Sequence, residues 1–467
     1  MVRPSYNELL AELNRLRKSE ARLFAENTAL RARIAELESA LQAALRRSKR
    51  QAAPFSHGEP APEPCKPGRK PGPRYGRKAH RPPPLPQEID EHFDVPLPHD
   101  CPHCGSQNIQ ETHVATQFQT DIPLRPICRQ FDIHCGICGD CGRAVHGRHE
   151  LQTSDAVGAA AAQLGPATHA AIAVLNKELG LSHGKVTRCL QRLFGITISR
   201  AASAHSVLHS GQKCTPAYEE IQARVRASPW VVPDETGWRV GGRSAWLHAI
   251  VGANATYYEI ASDRGANVVR RLLGRDWSGV MIHDGWRPYD RFQRARHQQC
   301  LAHLKRRCER ILLTAQRGAV RFPRQILELI GAAFAIRNAH RAGELDDEQV
   351  TLQGLALACY LEDLTDGRFS YAPNRRLAKH LKKHIWQWFW FLIEPGIDAT
   401  NWRAEQAIRP AVVNRKVWGG NRTWPGAQAQ ATIASVLRTC EQRGRNGFRW
   451  LMRALCSTQP TLLPAGR

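Results

Sequence analysis

Three acidic residues stand in settings that can hold divalent cations. Trp230-Val231-Val232-Pro233 is a short apolar run ending at Asp234, followed by Glu235-Thr236-Gly237-Trp238. Gly279-Val280-Met281-Ile282-His283 is a second run, ending at Asp284-Gly285. Residues 245–251 and 256–261, between them, also read as strands, so two aspartates fall at the ends of apolar strands. The third acid, Glu405, lies in a stretch that reads as helix up to Pro410, with Asn401, Glu405 and Arg409 on one face. Hydrolysis or transfer of a phosphodiester needs its oxygens clamped and a water or hydroxyl activated. Two Mg²⁺ (or Mn²⁺) ions about 3.5–4 Å apart do both, and such hard cations take carboxylate oxygens. Taken singly, each acid has an ordinary reading. An Asp after a strand is commonly a turn residue, and Glu405 could pair with Arg403 or Arg409. The set of three, in a chain of net charge +24, points to chemistry on a polyanion.

A second chemistry is written in cysteine. Cys101-Pro102-His103-Cys104-Gly105 and Cys138-Gly139-Asp140-Cys141-Gly142 are two C-x2-C knuckles. Together they offer four thiolates, a closed tetrahedral set for a structural Zn²⁺ with no position left for a catalytic water. Cys135 stands three residues before Cys138 and competes for the second pair, and Cys128 and His103 are outside candidates. The competing reading is unligated, reduced thiols.

These groups need a scaffold. At 467 residues the chain is long enough for about three domains. Leu9, Leu16, Leu23, Leu30 and Leu37 recur every seventh residue, with Asn27 at a facing position. That is a coiled-coil seam and predicts at least a homodimer; the competing reading is one amphipathic helix packed on its own protein. Residues 54–86 hold eleven prolines, which makes an extended basic tether. Its Arg69 and Lys70 resemble a minor-groove hook and equally suit a merely solvated linker. Residues 156–208 read as helices. Gly180-Leu181-Ser182 divides two of them, Val186, Leu190 and Leu193 mark the second, and Ser199 caps the next. With Lys185, Arg188, Arg192 and Arg200 along it, this segment suits a helix-turn-helix reader of DNA as well as plain helical packing. The aromatic run Trp386, Trp388, Phe389, Trp390, Phe391 favours core packing over base stacking. The N-terminus lacks the pattern of a signal peptide. No apolar run reaches the length of a membrane span.

Taken together, the coil, the knuckles, Asp234-Glu-Thr-Gly-Trp, Asp284-Gly-Trp-Arg-Pro-Tyr, Cys300-Leu-Ala-His303 and Asn401-x3-Glu405-x3-Arg409-Pro resemble transposases of the insertion-sequence 66 family. Asn414-Arg415-Lys416, Gly426-Ala427 and Ser435-Val436-Leu437-x-Thr439 extend the likeness over nearly the whole chain. The position before Trp402 is a single Asn401, where many relatives carry an asparagine pair. The resemblance implies a multidomain α/β protein whose catalytic core is ribonuclease H-like, with a mixed sheet. It implies Asp234, Asp284 and Glu405 as the catalytic, metal-binding acids, with His303 and Arg409 nearby.

The organisation expected on this basis begins with a coiled coil at 1–50 and a basic linker at 51–88. A zinc-binding domain at 89–150 and a helical DNA-binding segment at 151–225 follow. The catalytic domain takes 226–450, with a helical insertion at about 305–395, and a tail takes 451–467. The implied activity is metal-dependent cleavage at an element's ends and strand transfer into target DNA. The chain would be cytoplasmic and nucleoid-associated in a bacterium. Small accessory transposition proteins are possible partners, and no membrane is. Arg69, Lys70, Arg188, Arg192, Arg409 and Lys416 are candidate DNA contacts. Two rival readings are a zipper-and-zinc DNA-binding regulator without catalysis and a ribonuclease H-like nuclease selecting DNA structure.

Overall fold

The computed structural model describes residues 83–120, 122, 125–153, 163–394 and 396–464, together with positions 15, 16, 18–20, 22–30, 33, 34, 36 and 37. The chain forms two compact units, 1–120 and 121–467. In the first, every described residue between 15 and 37 is helical and exposed. Leu16, Leu23, Leu30 and Leu37 stay 55–60% exposed, so the leucine stripe finds no cover within the described residues. Leu9, Arg69 and Lys70 lie outside the described residues.

The second unit opens with a hairpin, β1 (Cys135–Ile137) and β2 (Ala144–His146). A helical layer follows. It comprises α1 (Pro166–Ala173), running into a π-turn at Val174–Glu178, then α2 (His183–Phe194), α3 (Arg200–Lys213) and α4 (Thr215–Arg226). The caps fall where the sequence puts them: Ser182 accepts from the Lys185 N–H, and Ser199 from that of Ala202. Val186 and Leu190 are buried, whereas Leu193 is 49% exposed, one face short of the spacing expected.

The core is a five-stranded mixed sheet. Its strands are β3 (Trp230–Val240), β4 (Arg243–Gly252), β5 (Thr256–Ala261), β6 (Val280–His283) and β7 (Arg296–Gln299), in the order β5-β4-β3-β6-β7. The first three are antiparallel, and β6 and β7 run parallel to β3. All four residues of β6 are buried, as an inner strand covered on both faces requires. Helix α5 (Ala266–Leu273) joins β5 to β6. From β7 the chain enters a run of helices: α6 (Leu301–Leu312), α7 (Arg321–Arg341), α8 (Asp347–Thr365), α9 (Ala372–Lys383) and α10 (Trp390–Ile393). These helices occupy residues 301–393. Trp388, Phe389 and Phe391 are 2–7% exposed, so the packing reading of the aromatic run is the right one for them; Trp386 is 59% exposed.

The chain then returns through α11 (Trp402–Trp418), α12 (Trp424–Gln442) and α13 (Gly447–Cys456). Helix α12 covers the edge of the sheet. The Ser435 hydroxyl accepts from the Tyr258 N–H at 2.9 Å, and Thr439 Oγ1 from that of Thr256 at 3.1 Å. An open strand edge is thereby satisfied by side chains. Asn414 and Arg415 fasten α11. Asn414 Nδ2 donates to the Lys177 carbonyl at 3.0 Å, over Gly180, whose positive φ of 73° and missing Cβ make room for the amide. Arg415 donates to the Gly237 carbonyl on β3. Among the described residues no helix is long and apolar enough to cross a membrane.

Two expectations need correction. Asp234 is not at the end of a strand: β3 runs through it to Val240, paired with β4 throughout. Nor does the helix of Glu405 stop at Pro410. It continues to Trp418, because proline removes a single backbone bond while Ala404, Ala407, Ile408 and Ala411 stay buried on either side of it.

Candidate active site

Pro233 explains how a mid-strand aspartate becomes accessible. Pairing of β3 with β6 covers only Trp230↔Val280 and Val231↔Met281. Beyond it, proline supplies no N–H. The sheet therefore opens on the β6 side of β3 at the level of Asp234, while the β4 side stays zipped. Asp284 follows directly on β6. Gly285 turns the chain there at a φ of 87°, where a Cβ would lie 2.6 Å from the Gln299 side chain. The Asp284 carboxylate is exposed and accepts from the Trp286 N–H at 2.9 Å. Glu405 sits in the first turn of α11, where the positive end of the helix favours an anion.

The C-x2-H stretch sets that helix in place. Asn401 N–H donates to Cys300 Sγ at 3.4 Å, and Leu301 N–H to the Ala399 carbonyl at 3.0 Å. Asn401 precedes the helix in a buried position without a side-chain cap, and its Oδ1 has no partner among the described residues.

Asp234 feels the charges of the other two acids. Burial pushes the Asp234 carboxyl up to about 7, and the charges of Glu235, Asp284 and Glu405 push the same way, against the one hydrogen bond it accepts from the Glu235 N–H. Glu405 already has a partner: Arg306 Nη2 lies 3.0 Å from its Oε1, with His303 Nε2 at 3.9 Å. Burial and then the Arg306 charge lower the basicity of His303. Among the described residues, no three His, Cys, Asp or Glu side chains gather closely enough to hold an ion as they lie. What is present is a hard-oxygen donor set whose buried member, Asp234, is raised by burial and by the charges of the other two, with Glu405 held by a guanidinium.

Sequence reasoning missed a neighbouring cluster. Glu235, on the opposite face of β3 from Asp234, has a side chain only 5% exposed and pairs with Arg264 at 2.8 Å. It also accepts from the buried Tyr289 hydroxyl at 3.0 Å. Arg264 lies over the rings of Trp246 and Trp286, each at 4.7 Å. The signal was visible in the Glu that follows Asp234 and in Trp286 of the second acid motif, but nothing linear pairs them.

The cysteine knuckles share one geometry. Cys101 N–H donates to Ser106 O at 2.9 Å and Gly105 N–H to Cys101 O at 2.8 Å; Cys138 and Arg143, and Gly142 and Cys138, repeat this at 2.9 Å each. Gly105 and Gly142 both take positive φ, 74° and 67°. In each knuckle, backbone N–H groups aimed at the first sulfur lower its thiol pKa, from His103 and Cys104 at Cys101 and from Cys141 and Asp140 at Cys138. Each is thus shaped to present thiolates. Cys135 lies on β1, with its Sγ 3.7 Å from the Ile133 carbonyl.

Of the remaining candidates, Arg188 and Arg192 are exposed one turn apart on α2. Arg409 and Lys416 are exposed on α11, the helix of Glu405.

A protein described as uncharacterized, y4qI of Sinorhizobium fredii (strain NBRC 101917 / NGR234), is 25% identical over 300 residues, which is 56% of this chain and 53% of that protein. The chain thus spans about half the length of this curated relative. The family described as Transposase IS66 family matches residues 161–429, more than half of the sequence and including all three acids. The chain belongs to the IS66 transposase family.

Proposed function

We propose that this transposase cleaves DNA at the ends of its element and joins the freed 3′-hydroxyl to target DNA, using Asp234, Asp284 and Glu405. The observation that carries the reading is the raised carboxyl of Asp234, buried on β3 where the sheet opens and pushed further by the charges of Asp284, in the turn after β6, and Glu405, on α11. Strand order β5-β4-β3-β6-β7, with the last two parallel to β3, supports a ribonuclease H-like core. The carboxylates would hold two Mg²⁺ or Mn²⁺ ions, which neutralise phosphate charge and activate water or a hydroxyl. The chain's own groups do the rest. Gly285 and the Trp286 N–H aim Asp284, Cys300 and Asn401 fix the start of the Glu405 helix, and Arg306 and His303 stand where a phosphate oxygen needs a donor.

The same reading assigns Zn²⁺ to the thiolates of Cys101, Cys104, Cys138 and Cys141, on the chemistry of the donor set. It assigns self-association to the exposed leucine stripe, since each leucine buried against a second helix gains about 1.5–3 kcal/mol. Holding two element ends together calls for such a dimer. Element-end and target DNA, contacted through Arg69, Lys70, Arg188, Arg192, Arg409 and Lys416, are the partners proposed. Small accessory proteins and a bacterial, nucleoid-associated location complete the picture.

The test is direct. Purified protein and Mg²⁺ are mixed with labelled DNA carrying the repeats that flank the gene, beside Asp234→Asn. Nicking at the repeat ends and joined products, absent from the variant, are expected. Equal cleavage by both proteins would remove Asp234 from the site.

A further inference from the structure

The helical insertion carries a charge imbalance that its own contacts leave unresolved. Helix α6 holds Lys305, Arg306, Arg307 and Arg310 against one acid, Glu309. Helix α9 holds Arg375, Arg376, Lys379, Lys382 and Lys383 and no acid. The two helices approach each other at two points, in opposite order along the chain. Thr314, just past α6, meets the Tyr371 hydroxyl at 2.8 Å, and Arg307 donates to the Arg376 carbonyl at 3.4 Å. Further along α9, His380 packs against the space beside Gly285, next to Asp284.

Ion pairs account for some of these cations: Lys305 with Glu309, Arg306 with Glu405, Lys382 with Asp366 and Lys383 with Asp290. Arg307, Arg310, Arg375, Arg376 and Lys379 make none among the described residues. Arg307 is half-buried in the field of Arg310 and Arg376. Like charges one turn apart destabilise a helix, and desolvating a cation without an anion costs more. An external polyanion resolves both.

We propose that the α6–α9 face is a track for the backbone of double-stranded DNA. It runs from the acids, where Arg306 stands beside Glu405 and Lys379 precedes the His380 that lies by Gly285, out through Arg307 and Arg376 to Arg310. The 12 residues of α6 span about 18 Å, about five base pairs at 3.4 Å per step. This rests on reading the three acids as a DNA-cleaving site, because it supplies the path by which duplex reaches them.

The experiment measures duplex binding by the full-length Asp234→Asn protein, which binds without cutting, across a series of salt concentrations. Adding Arg310→Ala, Arg376→Ala and Lys379→Ala together should flatten the slope of log K against log salt by nearly three, at about 0.9 for each phosphate no longer neutralised. Replacing the two arginines by lysine should leave the slope in place, which separates charge from folding. Arg445→Ala with Arg449→Ala, on and beside α13, serves as a control for general loss of charge.

An unchanged slope in the triple variant overturns the proposal. So does polyglutamate binding that the triple variant loses while duplex binding persists, which would mark an acidic protein as the occupant. Wild-type protein that never cuts, paired with a flattened slope in the triple variant, would sink the enzymatic reading and leave the track standing. Normal cutting with an unchanged slope would do the reverse.

Discussion

His283 Nε2 lies 3.0 Å from Nδ1 of His297, both rings are buried, and the bonds around them allow only one direction of donation. Gly285 N–H donates to His283 Nδ1 at 3.1 Å, so the His283 proton must sit on Nε2. It is given to His297 Nδ1, and His297 Nε2–H then donates to the Phe292 carbonyl at 3.0 Å. This assignment follows from the network of donors and acceptors. Two neutral imidazoles thereby hold the turn that presents Asp284, and a proton added to His283 would face the Gly285 N–H.

Acid sensitivity follows. Burial and the neighbouring histidines hold His283 well below its ordinary 6.5, and burial lowers His297. Burial takes His169, His183 and His380 down to about 4. A base whose folded pKa is depressed contributes stability above its unfolded value. That stability is lost as pH falls below about 6.5, at up to about 1.4 kcal/mol per pH unit for each histidine. The melting temperature should therefore drop steeply between pH 6.5 and 5. His297→Gln, which can still accept and donate, should make the fall shallower. A melting temperature that stays flat across this range would mean the histidines are not held neutral.

Asp234 has the opposite sign. Its folded carboxyl sits at about 7 against an ordinary 3.8, so it favours the fold when protonated and opposes it as pH rises through 7. Asp234→Asn should abolish cleavage yet raise stability at pH 8, by an amount on the order of 2 kcal/mol. The difference from wild type should narrow as pH drops towards 5. Thermal melts of both proteins at several pH values check this. An Asn variant less stable than wild type at pH 8 would mean the carboxylate is structurally satisfied and not strained.

Much of this was legible where a local rule decides. Strands β4, β5 and β6 are apolar runs bounded by glycine and polar turns, and Ser182, Gly195 and Ser199 mark helix ends by their own chemistry. Strand β3 was cut short because its apolar run stops at Pro233, and only the partner strand β4 carries it on to Val240. Packing on both sides of Pro410 outweighed one missing backbone bond. The acids themselves stood out as motifs. Their partners did not, because Arg306 meets Glu405 from 99 residues away and Tyr289 meets Glu235 from 54. Such pairings come from topology, which no spacing rule encodes.

The Ser435 and Thr439 hydroxyls test whether that part of the family's sequence is structural. Ser435→Ala would strip the Tyr258 N–H of its acceptor in a buried setting, at a cost of about 1–3 kcal/mol. Thr439→Val keeps its shape and loses the bonds to both Thr256 N–H and carbonyl. Both variants should melt lower and, when folded, cut DNA at the wild-type rate. Unchanged melting with reduced cutting would assign these hydroxyls to the reaction.

Arg306 now occupies the carboxylate that the proposed metal ions need. Its guanidinium and Glu405 are 53% and 44% exposed, so their pairing contributes only about 0.2–1 kcal/mol. That is weak enough for an arriving phosphate to draw Arg306 away. Arg306→Gln should then release Glu405 in DNA-free protein and raise its affinity for Mn²⁺ by up to about fivefold, since 1 kcal/mol is that factor. The same change should slow cleavage, because the phosphate loses a cation next to the acids. Opposite movement of metal affinity and turnover is the signature of a residue exchanged between carboxylate and substrate. Mn²⁺ titration followed by paramagnetic resonance, on DNA-free wild type, Arg306→Gln and Asp234→Asn, separates the cases. Loss of binding in Asp234→Asn with no gain in Arg306→Gln would leave the metal site standing and reduce the Arg306–Glu405 pair to an ordinary surface contact.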